Sequence, residues 1–247
     1  MYLPEAKALH VLIPDRLTQD AIAEVLGALD DKIAANTRQI ELLQSYLTGA
    51  YARALAADSR IVRLEEVAQF HNRRRIPLSA SEREARAGEI PYYGASGVFG
   101  FVDEPIFNER LLLVGEDGSV ITEQGTSVSQ YVWGPAWVNN HAHVLTGVGI
   151  STELLYVAVS GTQVGELVTG AVQPKISMTN LKRLPLRLPV GAGLTELTAA
   201  ADQLMAVFRM TSEENRTLAA TRDALLPQLM SGRLRVKDAE RVVGEVV

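Results

Sequence analysis

Two histidines, His141 and His143, stand two residues apart and are the first candidates for chemistry. If they lie in one strand, both imidazoles point to the same face, and two imidazoles on one face can begin a metal site. Glu116 and Asp117 would have to supply further ligands, but no spacing typical of a metal motif connects them to the histidines. The pattern favours histidines that are hydrogen-bonded around a turn or make polar contacts, with a metal-dependent hydrolase as the weaker alternative.

Signatures of common nucleotide-binding and hydrolytic enzymes are absent from the sequence. There is no G-x-x-x-x-G-K-[ST] phosphate loop, no G-x-S-x-G nucleophile and no H-E-x-x-H zinc helix. The glycine-rich stretch 94–100 lacks the G-x-G-x-x-G spacing of a dinucleotide site and is not followed by a helical pattern. No cysteine is present, which excludes disulfides, thiolate ligands and a cysteine nucleophile. We therefore expect no catalytic site, no metal and no cofactor bound by this chain.

Side chains that can pair with base edges are scattered through the middle of the chain. Arginine, lysine, asparagine and glutamine carry the guanidinium, ammonium and amide groups that recognise guanine and adenine in the major groove. The candidates are Arg73, Arg74, Arg75, Gln124, Gln130, Asn139, Asn140, Gln173 and Lys175. The arginine triplet is the most suggestive group, and its alternative interpretation is a solvated loop ended by Ile76-Pro77.

Two stretches with heptad periodicity flank this middle part. From Ile22 to Ala54, and again from Leu197 to Leu229, apolar residues recur at alternating steps of four and three, which is typical of a coiled-coil seam. Each seam has one asparagine near its middle, which either fixes register and partner choice or is simply tolerated. We predict two long helices, about Thr18 to Ala56 and Thr195 to Met230, that pair antiparallel. The predicted pairing residues are Ile33, Asn36, Ile40, Leu204, Phe208, Asn215 and Leu218.

Residues 60–190, between the two helices, differ in character from them. They contain short β-branched or aromatic runs broken by Gly, Pro, Asn and Asp, which indicate strands and turns. The clearest runs are Leu111–Val114, Ser127–Trp133, Trp137–Val144 and Leu184–Leu188. The predicted fold class is therefore α+β: one mixed, strand-rich domain flanked by two long helices that form an antiparallel coiled coil. A length of 247 residues with 47% hydrophobic residues fits such a folded protein.

The formal net charge of −5 argues on its face against a nucleic-acid partner. Residues 60–190 are nearly neutral, with 12 basic and 13 acidic side chains. Because phosphate contacts supply most sequence-independent affinity, such a domain should bind DNA weakly by itself. No apolar run approaches the roughly 18 residues that span a bilayer, and no signal peptide is recognisable. We expect a cytoplasmic protein without a membrane partner.

Four segments follow one another in a distinctive order: Ile90–Phe101, Leu113–Gly118, Trp137–Leu145 and Gln173–Lys175. Together they resemble the target recognition domain of type I restriction-modification specificity subunits. The flanking helical segments also resemble the two conserved helices of that family. The resemblance extends over about Leu12 to Val236.

The resemblance implies a function and a set of partners. The family's specificity subunit usually carries two target recognition domains joined by two antiparallel helices, and each domain reads half of a bipartite DNA site. This sequence contains one such domain, so it resembles a half-sized specificity subunit. The implied partners are double-stranded DNA, methyltransferase (modification) subunits that hold S-adenosylmethionine, restriction subunits, and a second copy of this chain or another half-subunit. The alternative is a coiled-coil scaffold or adaptor whose central domain does not read DNA.

Domain boundaries and interface residues follow from the same resemblance. We expect residues 1–17 to be the end of a preceding domain, 18–59 the N-terminal conserved helix and 60–190 the target recognition domain. Residues 191–234 are expected to form the C-terminal conserved helix, and 235–247 a tail. The predicted DNA-binding residues are Arg73, Arg74, Arg75, Tyr93, Ser96, Asn139, Asn140, His141, Gln173 and Lys175.

Overall fold

The computed structural model describes residues 13–170 and 172–246. These residues divide into two compact units, a helical unit of residues 13–44 with 207–246 and a strand-rich unit of residues 45–206. Most of the expected N-terminal segment 1–17 lies outside the described residues. Within the described ranges, no helix is long and apolar enough to cross a membrane.

The first long helix, α1 (Arg16–Ala57), begins two residues before the predicted start. Asp15 caps it, because its carboxylate accepts hydrogen bonds from the backbone N of Thr18 at 3.0 Å and from the Thr18 hydroxyl at 2.7 Å. Thr18 therefore lies in the first turn of the helix. An aspartate three residues ahead of a free N–H satisfies one of the donors that every helix start leaves unpaired.

The helical unit pairs the first part of α1 with the second part of the other long helix, α6 (Gly191–Met230). Arg222 bonds Asp30 at 2.8 Å, and Asn36 donates from Nδ2 to Oε2 of Glu214 at 2.8 Å. Asp30 precedes Asn36 in α1, whereas their partners occur in the reverse order in α6, so the two helices run antiparallel. The predicted α+β class with an antiparallel helix pair is confirmed. The apolar core of the pair comprises Ile22, Val25, Leu29, Leu218, Leu225 and Leu229.

The predicted seam differs from the observed one at several positions. Leu204 and Phe208 are only partly buried, whereas Met205 is 2% exposed, so the buried stripe shifts by one residue in this part of α6. Ile33 packs half-buried against the helical core, and Ile40 is also half-buried. A 3.6-residue helical turn drifts away from a strict seven-residue repeat, which explains the one-residue shift.

The two seam asparagines have different surroundings. Asn36 is 4% exposed and its amide is paired with Glu214, whose carboxylate also lies 3.3 Å from Lys32. Asn215 donates at 3.5 Å to the hydroxyl of Thr37, and its buried Oδ1 has no partner among the described residues. Asn36 thus makes the stronger polar contact across the helix pair.

The described part of the predicted tail, residues 235–246, contains a further helix. Helix α6 ends at Met230, and Gly232 takes a φ of +69°, a left-handed conformation that terminates helices. A further helix, α7 (Val236–Gly244), then places Ala239 and Val243 in the helical core. These two residues are four positions apart and so lie on one helix face.

The strand-rich unit contains three small sheets. The strands are β1 (Ser59–Arg63), β2 (Ala68–Phe70), β3 (Ile90–Tyr93), β4 (Val98–Val102), β5 (Phe107–Asn108), β6 (Leu111–Gly115), β7 (Ser129–Val132), β8 (Pro135–Val138), β9 (Ala142–Gly147) and β10 (Pro185–Pro189). In the two four-stranded sheets the strand orders are β2-β9-β6-β7 and β4-β3-β8-β5, and β1 pairs antiparallel with β10. The short helices are α2 (Leu64–Val67), α3 (Ala80–Ala85), α4 (Thr152–Ser160) and α5 (Met178–Lys182).

The core of this unit lies along β6, where Leu111 to Val114 are fully buried on both faces. A strand covered on both faces reads as a continuous apolar run, which is why this strand was easily predicted. The predicted run Trp137–Val144 is instead broken into β8 and β9 by residues 139–141. That break forms a loop in the middle of the segment that carries most of the candidate side chains.

Candidate nucleic-acid interface

The loop between β8 and β9 is held by Asn139. This side chain is 6% exposed, and its Oδ1 accepts the backbone N–H of His141 at 2.8 Å. The backbone N of Asn139 donates to the carbonyl of Tyr93 at 3.0 Å. Asn140 and His141 are exposed at the surface of the loop. Asn139 and Tyr93, both predicted to bind DNA, therefore hold the loop, while Asn140 and His141 are exposed where a ligand can reach them.

Arg75 fixes the same loop from the other side. Its Nη1 lies 2.6 Å from Oε2 of Glu116, 2.7 Å from the carbonyl of Ala142 and 3.2 Å from the carbonyl of Asn140. Its Nε donates to the carbonyl of Asn72 at 2.9 Å, and its side chain is only 13% exposed. The Nε and Nη1 donors of Arg75 are therefore used inside the protein to hold the loop, and base reading by Arg75 stays a prediction.

Glu116 is a central acceptor that the sequence did not single out as part of the interface. Besides Arg75, the ammonium of Lys175 lies 3.5 Å from its Oε1, and its side chain is 16% exposed. Lys175 itself is half-exposed, so it neutralises Glu116 and still faces solvent. The Arg75-Glu116-Lys175 cluster thereby connects three segments that are distant in sequence.

His143 is structural and lies apart from His141. It is fully buried in β9, where Nδ1 lies 2.8 Å from Nδ2 of Asn72 and Nε2 lies 2.8 Å from the carbonyl of Ile176. Burial lowers the pKa of His143, so the neutral imidazole donates from Nε2 and accepts at Nδ1. His141 precedes the strand, and the two rings therefore do not share a strand face. No cluster of three metal-ligating side chains occurs in the described ranges.

His141 borders a cleft of about 290 Å³, here called the His141 cleft. Its Nδ1 contacts the carboxylate of Asp117, and the ring is about half exposed. Phe99, on the edge strand β4, contributes its aromatic side chain, and the residue is 61% exposed. The lining residues are Ala95, Ser96, Phe99, Asp117, Gly118, Ser119, His141 and Gln173.

A glycine and a glutamine shape the wall of this cleft. A Cβ at Gly94 would come within 2.4 Å of the Phe99 ring. Any other residue at this position would therefore clash with the aromatic side chain. Gln130, a candidate for base reading, donates from Nε2 to the carbonyl of Gly94 at 2.9 Å and thus holds the turn. Ser96, at the tip of this turn, is exposed.

Arg73 and Arg74 have different environments although they are neighbours. Arg74 bonds Glu109 at 2.6 Å and lies 4.2 Å from the centre of the Phe107 ring. Arg73 is exposed and has no bonded partner among the described residues. Both border a second cleft of about 590 Å³, here called the arginine cleft. The lining residues are Phe70, His71, Asn72, Arg73, Arg74, Arg75, Glu116, Met178 and Lys182.

Comparison with known proteins gives the same family that the sequence resembles. Residues 57–192, more than half of the chain, match the family described as type I restriction modification DNA specificity domain. The chain belongs to this family. The family predicted from the sequence is thus confirmed, and the matched specificity domain contains the His141 cleft and the arginine cleft.

Two relatives of the specificity domain differ from this chain in length. A Haemophilus influenzae protein described as a type I restriction enzyme specificity subunit, S.HindORF215P, is 31% identical over 151 residues, which are 61% of this chain and 37% of the relative. The crystal structure of the type I restriction-modification S subunit from M. genitalium has a TM-score of 0.62 at 19% identity, with 87% of this chain and 61% of the other covered. The chain spans less than two thirds of either relative.

The structure brings together only some of the residues predicted to bind DNA. Ser96, His141 and Gln173 line one cleft of the specificity domain, and Asn140 adjoins His141 in a neighbouring cleft of similar size. Arg73 and Arg74 border the arginine cleft instead. The lining residues that were not predicted to bind DNA include Phe99, Glu116, Asp117 and Lys182.

Proposed function

We propose that this chain recognises a DNA sequence through the His141 cleft, as the specificity component of a type I restriction-modification system. The observation that carries the proposal is the convergence of Ser96, His141 and Gln173 around an exposed aromatic ring, on loops that Arg75 and Asn139 hold rigid. Preorganised polar groups next to an apolar surface are what base-edge recognition requires.

The chemistry of the cleft suits base edges better than phosphates. Gln173 and Asn140 can form paired hydrogen bonds with adenine, and Ser96 can donate or accept. Asp117 can accept from the amino group of cytosine, whereas its charge would repel a phosphate. Phe99 offers an apolar surface to a thymine methyl group. The contact with Asp117 orients the His141 ring and leaves Nε2 directed away from that carboxylate.

The partners belong to the same proposal. The specificity domain reads one half of a bipartite site, and a second copy of this chain or another half-subunit supplies the other half. The long helices dock the modification subunits, which hold S-adenosylmethionine and perform the methyl transfer, and restriction subunits join that complex. Because the central residues 60–190 are nearly neutral, these partners provide much of the electrostatic attraction to DNA.

Selection from a pool of random duplexes tests this function. The chain, assembled with type I methyltransferase subunits, is expected to enrich one short motif, and the His141→Ala variant is expected to enrich a different or degenerate motif. A pool that stays random with the wild-type complex would contradict sequence recognition and favour the coiled-coil scaffold. An unchanged motif in the variant would move base reading away from the His141 cleft.

A further inference from the structure

We propose that the arginine cleft binds phosphodiester oxygens of the DNA backbone, so that phosphates and base edges are contacted by separate surfaces of one domain. The inference rests on the proposed function, because it names the part of the DNA that this cleft takes. It differs from the sequence prediction, in which Arg73 and Arg74 read bases and Lys182 has no role.

Two cations of the cleft are not neutralised by the protein. Arg74 is paired with Glu109, and Arg75 with Glu116. Arg73 and Lys182, in contrast, have no carboxylate within 4.0 Å among the described residues. The cleft therefore has two positive charges available for an anion. A phosphodiester carries one negative charge and accepts from guanidinium and ammonium groups, which makes it the fitting ligand.

Both cations stand on ordered local structure. Arg73 lies in the 3-10 turn Asn72–Arg74, which is anchored because Asn72 accepts the backbone N–H of Val144 at 3.0 Å through its side chain. Lys182 ends α5, and its ammonium lies 5.6 Å from the centre of the Phe70 ring. An ammonium over an aromatic face is held in place without losing its charge. The cleft is thus preorganised, and less conformational entropy is lost on binding.

The position of the cleft along the chain connects it with base reading. Glu116 lines the arginine cleft, and the next residue, Asp117, lines the His141 cleft. Successive Cα atoms are only about 3.8 Å apart, so this pair brings the walls of the two clefts close together in the chain. Glu116 does not repel a phosphate, because Arg75 and Lys175 neutralise it. A backbone held in the arginine cleft would set the register in which bases reach the His141 cleft.

The salt dependence of DNA binding tests the inference directly. The full chain is titrated against a fluorescein-labelled duplex of about 30 bp and random sequence, between about 50 and 200 mM KCl. Each phosphate contact contributes about 0.9 to the slope of log K against log salt, so the Arg73→Ala/Lys182→Ala double variant should lose about 1.8 of the slope. The Arg73→Lys/Lys182→Arg variant keeps both charges and should retain the slope.

A matched double variant controls for net charge. Arg38 and Arg60 are exposed and have no charged partner among the described residues, so Arg38→Ala/Arg60→Ala removes the same two charges outside the cleft. This variant should keep the wild-type slope. Equal slopes for the cleft variant and the wild type, or equal losses in the two alanine variants, would overturn the proposal. Thermal unfolding verifies that all variants are folded.

Duplex-pool selection separates this inference from the proposed function. The cleft variant in the methyltransferase complex should enrich the wild-type motif with lower affinity, because phosphate contacts carry no direct sequence information. A different motif would mean that Arg73 or Lys182 reads bases, which contradicts the inference and leaves sequence recognition intact. A wild-type complex that enriches no motif would refute the proposed function, while the salt slope would still decide whether the cleft binds phosphates.

Discussion

Arg75 donates from Nη1 to Oε2 of Glu116 at 2.6 Å, and the two side chains are only 13% and 16% exposed. The same Nη1 reaches the carbonyl of Ala142 at 2.7 Å, so one guanidinium ties the loop before β9 to the end of β6. A residue type that is typical of DNA contacts is used here to hold the loop that presents His141. The neighbouring Arg73 remains free for a ligand.

The first prediction contrasts these two arginines. Arg75→Ala leaves Glu116 without its closest partner in a mostly buried position and should lower the free energy of unfolding by about 3 kcal/mol. Arg73→Ala, at an exposed position without a bonded partner among the described residues, should change it by less than about 0.5 kcal/mol. Urea unfolding of both variants measures the difference. Equal stability of the two variants would contradict the structural role of Arg75.

A second pair of variants uses the adjacent asparagines. Asn140→Ala should reduce specific affinity of the methyltransferase complex for its motif by about 1–3 kcal/mol, because an exposed amide loses its base contact. Asn139→Ala should instead lower stability by about 1 kcal/mol, because the N–H of His141 loses its acceptor. Competition binding and urea unfolding distinguish the two effects. Full specific affinity in Asn140→Ala would exclude that side chain from base reading.

The third prediction concerns pH. Burial lowers the pKa of His143 below 6.5, so the unfolded chain binds a proton more readily than the folded one. The contribution of neutral His143 to the free energy of unfolding is therefore complete above pH 6.5. It is lost as the pH falls towards the pKa of the folded state, and the free energy of unfolding changes by at most about 1.4 kcal/mol per pH unit. Unfolding at a series of pH values should show this decline. His143→Gln should flatten it, and an identical slope in the variant would assign the decline to other groups.

The helix pair gives a fourth prediction. Leu29 is fully buried in the helical core, so Leu29→Ala should lower the free energy of unfolding by about 2–5 kcal/mol. Leu42 lies in the same helix but is 71% exposed, and Leu42→Ala should cost less than about 0.5 kcal/mol. Far-ultraviolet circular dichroism during chemical unfolding measures both. A similar cost for the two variants would argue against the observed helix face.

The sequence predicted the elements whose patterns are regular. Heptad spacing predicted α1 and α6, because the spacing continues over many helical turns. The apolar run Leu111–Val114 predicted β6, because a fully buried strand is apolar at every position. It missed α7, since nine residues are too short a segment for helical periodicity to be recognised. The sequence pattern also joined β8 to β9 into one strand. The loop Asn139-Asn140-His141 that separates them contains no glycine or proline, the residues that usually mark a turn.

The candidate site was predicted by residue type but not by role. Arg73, Arg74 and Arg75 are identical in type, yet Glu109 and Glu116 bind two of them, and these acceptors are 35 and 41 residues away in sequence. Such long-range pairing cannot be read from local composition. Phe99 could have been identified from the sequence, because Phe101 follows it by two positions and both side chains then lie on one face of a strand. That strand forms a sheet edge, and both phenylalanines are exposed.

Methylation mapping of genomic DNA is the most direct test of the claim that this chain supplies sequence specificity. Type I methyltransferase subunits are expressed with the wild-type chain, with the His141→Ala/Gln173→Ala variant, and without the chain. The account predicts one bipartite methylated motif with the wild type, symmetric if two copies of the chain assemble, and the loss or relaxation of its half-site with the variant. The same methylated motif in all three samples would contradict the account.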